Sequence, residues 1–353
     1  MLRAYYDHHE WATGRLFRLC DGLSDEQLDA HREMGMGSLR ATLFHILAAE
    51  RFWMKRWKGE ATGPFPIDPA GIGLAELEAG FAASAEERRR FMELEAEADY
   101  ARLVKYTHAN GVAYEQKIGD LLLHVCNHAI HHRAQALNFL KGFGRTVAGG
   151  LDYSFYKLTR PSTPQRPESI AAMREYGLEV DGPPTAQVPF EKSRMQNYFA
   201  YSDWALGQLI ESARRLHGNQ LTAWLDTSFN MGADTPRKSF LHLLDAETWW
   251  YSNWTVGPTE SEELPESTSL DEFEKAWNEN AAKRNEFVAN QDKLTAQNVI
   301  TAAVHGLFID LRAIESMLQL CCHGTHHRAQ ILNMLRQAGA ELPKIDYVVW
   351  LRL

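Results

Sequence analysis

Two stretches place histidines at spacings suited to one metal ion: "HAIHHRAQ" at His128–Gln135 and "HGTHHRAQ" at His323–Gln330. On a helix, residues four apart lie about 40° apart around the axis, so their side chains share a face. His128 and His132 stand in that relation, as do His323 and His327, and each pair offers two imidazole nitrogens to one ion. His131 and His326 point roughly 100° away from their neighbours, which assigns them packing or supporting roles. Each block also has a third histidine available from another apolar stretch, His45 in "LFHIL" and His242 in "FLHLL". A histidine among the core positions of facing helices needs a partner. Three imidazoles leave a coordination position open on a divalent ion, the arrangement of catalytic rather than structural sites. Neutral nitrogen ligands suit zinc first, with nickel, iron, manganese and copper also compatible.

Other side chains near these histidines are weaker candidates. Gln135 and Gln330 follow the last histidine by about one turn on nearly the same face. They are candidates to orient bound water or substrate, or to make an interhelical hydrogen bond. Glu50 and Glu247, five residues after His45 and His242, lie about 140° off that face and are candidate general bases or supports for a ligand. Arg133 and Arg328 read as structural ion-pair partners. Cys126 and Cys321 precede the first histidine by two residues, roughly 200° around the helix, and should point away. Trp53, Trp57, Trp249, Trp250 and Trp254 recur at helical spacing, as core or as walls of an apolar cleft.

The elements that must position these residues occur twice. Cys126–Leu140 and Cys321–Leu335 agree at ten of fifteen positions. The likeness extends to "YYDHHEWATGRLFRLCDGL" against "YFAYSDWALGQLIESARRL", and to "LRATLFHILAAERFWMKRWKG" against "PRKSFLHLLDAETWWYSNWTVG". His45, Glu50, Trp53 and Trp57 thereby match His242, Glu247, Trp250 and Trp254, whereas His8, His9, His31 and His124 have no histidine opposite them, Gln319 standing for His124. Self-similarity at a period near 195 residues means two copies of one domain, since solenoid repeats are far shorter. Between them, Arg160–Pro189 holds six of the thirteen prolines and reads as a linker with a short helix at Glu168–Tyr176. The expected domains are therefore 1–160 and 190–353, joined by a proline-rich linker at 161–189.

Each copy repeats one order of elements. An amphipathic helix covers about Leu2–Leu19, and a second runs from an N-cap at Ser38 to Lys58. After a Pro/Gly loop, "LAELEAGFAASAEERRRFMELEAEA" is a charged helix. "VKYTHANGVAYEQKI" carries Asn-Gly between apolar runs, a short hairpin signal, and the histidine block then lies on a helix from Ile118 to Lys141 ended by Gly142 and Gly144. The expected fold is all-α, two tandem antiparallel four-helix bundles with a short hairpin before each last helix.

Composition narrows the partners. With 37 basic and 46 acidic residues, net −9, the chain offers no general footing for a phosphate backbone, so nucleic acid is a poor partner. The basic run "ERRRF" reads as a solvated helix face. Four scattered cysteines without a CxxC pair read as reduced thiols, and no apolar run is long enough for a signal or a membrane span. The expectation is a cytoplasmic protein acting on a small molecule.

These features resemble the DinB-like superfamily of four-helix metal-binding proteins, which includes the YfiT-type metal-dependent hydrolases. Its pattern is a histidine in the second helix followed by H-x-x-H-H-R-x-Q in the last, matched here by His45 with His128–Gln135 and His242 with His323–Gln330. The resemblance implies the ligand sets His45, His128, His132 and His242, His323, His327. It covers both halves and leaves only the linker outside. Ala134 and Ala329 stand where the family often has glycine, a small-for-small change. Many relatives are single domains that dimerise, so the tandem chain resembles a covalent pseudo-dimer. The resemblance implies a stress or detoxification enzyme, a thiol S-transferase using a low-molecular-weight thiol or a hydrolase. The alternative is a non-catalytic scaffold whose metal stabilises the fused pair.

Overall fold

The computed structural model describes every residue except 70, 97–99, 109–110, 148–149, 176, 181, 183, 217–218, 259–263 and 305–306. Asn110 of the hairpin turn, Tyr176 at the end of the linker helix, and Glu97 and Ala98 of the charged helix therefore lie outside the described residues. The protein is predominantly helical. Its elements are α1 (Leu2–Cys20), α2 (Asp25–Asp29), α3 (Leu39–Lys58), α4 (Leu74–Ala96), β1 (Leu103–Thr107), β2 (Ala113–Lys117), α5 (Ile118–Lys141), α6 (Tyr153–Thr159) and α7 (Pro167–Glu175). They continue with α8 (Lys192–Arg214), α9 (Asn219–Leu225), α10 (Pro236–Thr255), α11 (Leu270–Asn290), a 3₁₀ turn at Thr295–Gln297, β3 (Val299–Val304), β4 (Leu307–Arg312), α12 (Ala313–Gln337) and α13 (Tyr347–Trp350).

Local chemistry accounts for the helix boundaries that matter to the site. The Ser38 hydroxyl accepts from the Ala41 N–H and starts α3, and Gly59 at φ 75° ends it. In the second copy the Thr235 hydroxyl caps α10, with Pro236 at the first helical position. The helices that carry the histidine blocks are deeply buried: 18 of the 24 residues of α5 are buried. A helix that is buried nearly all round must be enclosed by others. It packs against α1 and α3, and α4 packs against the same two helices. In the same way α12 packs against α8 and α10, and α11 against α8 and α10. Both expected hairpins are present, antiparallel, with Leu103 opposite Lys117 and Val299 opposite Arg312, each leading directly into a histidine helix.

The chain forms two compact units that cut the sequence differently from its repeat. One joins 2–145 to the C-terminal segment 344–353, whose α13 lies on α5. The other comprises 146–343 with Met1, so α6, which follows the first copy's histidine helix, packs on α12. The proline-rich stretch belongs to this second unit, where α7 lies against β4 and the Ser169 hydroxyl donates to the Phe308 carbonyl. Among the described residues, no helix is long and apolar enough to cross a membrane.

Candidate metal centres

The six candidate histidines come together as two triads. His45, His128 and His132 form one and His242, His323 and His327 the other, with a nitrogen from each residue within 4.8 Å of the others in its triad. Ring centroids in the first triad lie 5.0, 4.5 and 4.4 Å apart. In the second they lie 4.9, 4.6 and 4.4 Å apart, the same triangle on diverged sequence. His45 Nε2 and His128 Nε2 are 3.1 Å apart. Two nitrogens on a tetrahedral zinc with bonds of about 2.0–2.1 Å are about 3.3 Å apart, so this spacing fits such an ion. In the second triad His323 Nε2 is buried with no hydrogen-bond partner, an orphaned acceptor of the kind that a cation satisfies. The donor set therefore fits a divalent transition metal.

Protonation favours the same use. Burial lowers the His45 imidazole to about 4, and burial followed by the neighbouring histidines holds His128 well below its ordinary value. His327 is lowered by the same causes. Neutral imidazoles are the form that ligates a metal.

The glutamines have a defined geometry that spacing alone left open. His132 Nδ1 donates to Gln135 Oε1 at 2.7 Å, while the Gln135 amide donates to His131 Nε2 at 3.1 Å. Gln330 holds His327 and His326 with the same two distances. A proton fixed on Nδ1 leaves Nε2 of the ligand histidine as a bare lone pair. Each glutamine is itself seated against a glycine at positive φ. A Cβ on Gly35 (φ 53°) would lie 2.8 Å from Gln135 Oε1, and one on Gly232 (φ 55°) 2.7 Å from Gln330 Oε1. These glycines, and Asp152, were not found from the sequence. Asp152 Oδ2 accepts from His323 Nδ1 at 3.0 Å and from Gln319 Nε2 at 3.2 Å. Although burial acts to raise this carboxyl, the hydrogen bond from His323 outweighs it and holds it well below the usual carboxylate range.

Glu50 and Glu247 are occupied elsewhere and join neither triad. Glu50 accepts from His9 Nε2 at 2.7 Å through one oxygen and from Ser84 at 2.7 Å and Arg88 at 2.9 Å through the other. Burial would raise this carboxyl, but His9 and Arg88 outweigh it and hold it at about 2. Arg88 also reaches Glu10 at 2.9 Å and lies over the Tyr6 ring. The second copy repeats the core of this network: Arg284 pairs with Glu247 at 2.9 Å and with Asp203 at 2.6 Å, over the Phe199 ring. Ser202 and Asn280 replace His9 and Ser84, and with that support gone burial dominates and the Glu247 carboxyl is raised. Arg133 donates to His9 Nδ1, and Arg328 donates to Ser202 and Thr325, so both arginines serve helix packing.

The tryptophans of the second helix build core. Trp53 meets His124 and Tyr106 edge-on, Trp57 stacks on Phe91, and Trp254 stacks on Phe287 while donating to Ser316. An aromatic ring against the first triad comes instead from the loop after α3, where Phe65 packs on both His45 and Phe52. Phe52 lines a cavity of about 520 Å³ with Phe44, Leu47, Arg51, Lys55 and Leu77. All four cysteines are buried, and burial pushes the Cys20 and Cys126 thiols up to about 12.

Helical packing around two three-histidine clusters defines the class, a helical protein equipped to hold divalent metal. The DinB family profile matches residues 1–166 and again 191–353, and the chain belongs to the DinB family, in two tandem copies. No curated protein and no solved structure shows a significant match.

Proposed function

We propose that this protein is a metal-dependent enzyme that acts on a small electrophilic metabolite, by thiol S-transfer or by hydrolysis, through two open three-histidine centres. The observation that carries the reading is the repeated triangle of half-buried imidazoles, one nitrogen of each facing a common point. Family membership and the orphaned His323 Nε2 support it. Zinc suits three neutral nitrogens best, with nickel, iron or manganese as alternatives. The divalent ion would supply a Lewis acid that lowers the pKa of a thiol or water beside it. His45, His128 and His132 would hold one ion and His242, His323 and His327 the other. Gln135 and Gln330 act as positioning residues that fix the histidine tautomers. Glu50 takes no part in proton transfer in this reading, because both its oxygens are engaged by His9, Ser84 and Arg88, and Glu247 serves as the ion-pair partner of Arg284. The chain's own thiols are buried, so in this reading a transferred thiol comes from a low-molecular-weight compound.

We take 1–160 and 190–353 as the two domains by descent, each an antiparallel four-helix bundle, with 161–189 joining them as a covalent counterpart of a dimer. The test of function is turnover of a generic electrophile by zinc-loaded protein, with glutathione, bacillithiol, mycothiol or no thiol. Thiol-dependent conjugation supports the transferase and thiol-independent cleavage the hydrolase. Stoichiometric zinc with neither activity across a panel of electrophiles and esters favours a scaffold whose metal stabilises the fused pair.

A further inference from the structure

We propose that Asp152, carried by the first sequence copy, completes the histidine centre of the second copy and makes it the tighter of the two metal sites. This rests on the metal-binding reading above. Asp152 is the N-cap residue of α6, the short helix packed on α12. It is held there by a double clasp. The Ser154 N–H donates to Gln319 Oε1 at 2.7 Å while the Gln319 amide returns a hydrogen bond to the Asp152 carboxylate. One turn later, Lys157 and Glu315 form a buried ion pair at 2.8 Å that pins the same helix to α12. With the His323 Nδ1 proton committed to Asp152, its buried Nε2 is left as a lone pair facing the triad. A carboxylate behind a ligand imidazole fixes its tautomer, raises its basicity and adds negative charge near the cation.

The first centre lacks this clasp. The corresponding segment after α12 reads "IDY" at Ile345–Tyr347, against "LDY" at Leu151–Tyr153, and places Asp346 at the N-cap of α13, which packs on α5. Among the described residues no side chain hydrogen-bonds the Asp346 carboxylate, and no carboxylate pairs with His128. His124 takes the place of Gln319 and cannot make the same two-way amide clasp. Sequence duplication therefore produced matching triads, while the supporting carboxylate is engaged at only one.

The test is a zinc titration of the full-length protein against a chromophoric chelator, with far-UV circular dichroism as the folding control. In a His45→Ala background, which leaves the second centre, adding Asp152→Ala should weaken zinc binding about 10–100-fold. In a His242→Ala background, which leaves the first, Asp152→Ala should change nothing. Asp152→Asn keeps the acceptor and the size but removes the charge, and should show a smaller loss even if the alanine variant folds poorly. Unchanged affinity at the second centre in both Asp152 variants, or equal loss at both centres, overturns the assignment of Asp152 while leaving the metal reading intact. A wild-type chain that takes up no zinc overturns that reading as well, so the two failures are distinguishable.

Discussion

At the scale of single residues, the centre depends on lone pairs being aimed, and hydrogen bonds behind the ligands do the aiming. Gln135 accepts the Nδ1 proton of His132 and donates to His131, so Gln135→Leu removes the tautomer lock without touching a ligand. Zinc affinity at the first centre should fall about 10-fold or more, measured by chelator competition, with the second centre unchanged. Gly35→Ala should act in the same direction, because its Cβ would lie 2.8 Å from the glutamine oxygen at a positive φ. Of this site, His128, His132, His323 and His327 were legible because helical periodicity places residues four apart on one face, and His45 and His242 because each sits in an apolar helical stretch matched in both copies. Gln135 and Gln330 were visible as candidates, but their two-way bridging depends on side-chain rotation that spacing does not encode. Asp152 and the two glycines were not legible, since each reaches the site through tertiary packing from a loop or a short helix.

Among the elements, α1, α3 and α4 are tied together by buried charge as well as by apolar contact. Glu50, Arg88, Glu10 and His9 form a network inside the first copy, and removing one partner of a buried pair typically costs about 3–5 kcal/mol. Glu50→Gln should destabilise by roughly that order in chemical denaturation near neutral pH. The folded Glu50 carboxyl is held at about 2 against an ordinary 4.5, so its contribution is fully present above about pH 4.5 and is lost as pH falls through 2. The gap between wild type and variant should therefore narrow on acidification. A gap that stays constant down to pH 2 would contradict the network. Glu247 has the opposite sign: its raised carboxyl costs stability as pH rises above the ordinary 4.5. The long helices and the first hairpin could be read from periodicity, caps and Asn-Gly, and the second hairpin from the repeat. The short helices α6 and α13 could not, because four to seven residues carry too little pattern and owe their helicity to the surfaces they cover.

For the whole molecule, the repeat seen in sequence and the units seen in space are offset. The segment 344–353 belongs with 2–145, where Ile345, Tyr347 and Val348 are buried and Arg352 stacks over Tyr114. Burying one large apolar side chain contributes about 1.5–3 kcal/mol. A chain ending at Pro343 should consequently lose several kcal/mol from the unit holding the first triad, while the unit 146–343 keeps its stability. Two-stage unfolding followed by hydrogen exchange on α5 and α12 would register this, with protection falling on α5 alone. Equal loss on both helices would contradict the division. The central claim, that both triads hold metal, is tested most directly by elemental analysis of the purified protein reconstituted with zinc and freed of excess ion. Two ions per wild-type chain, one in His128→Ala and none in His128→Ala/His323→Ala is the expected result. A chain without stoichiometric metal, or a His128→Ala variant that retains the wild-type content, would contradict it.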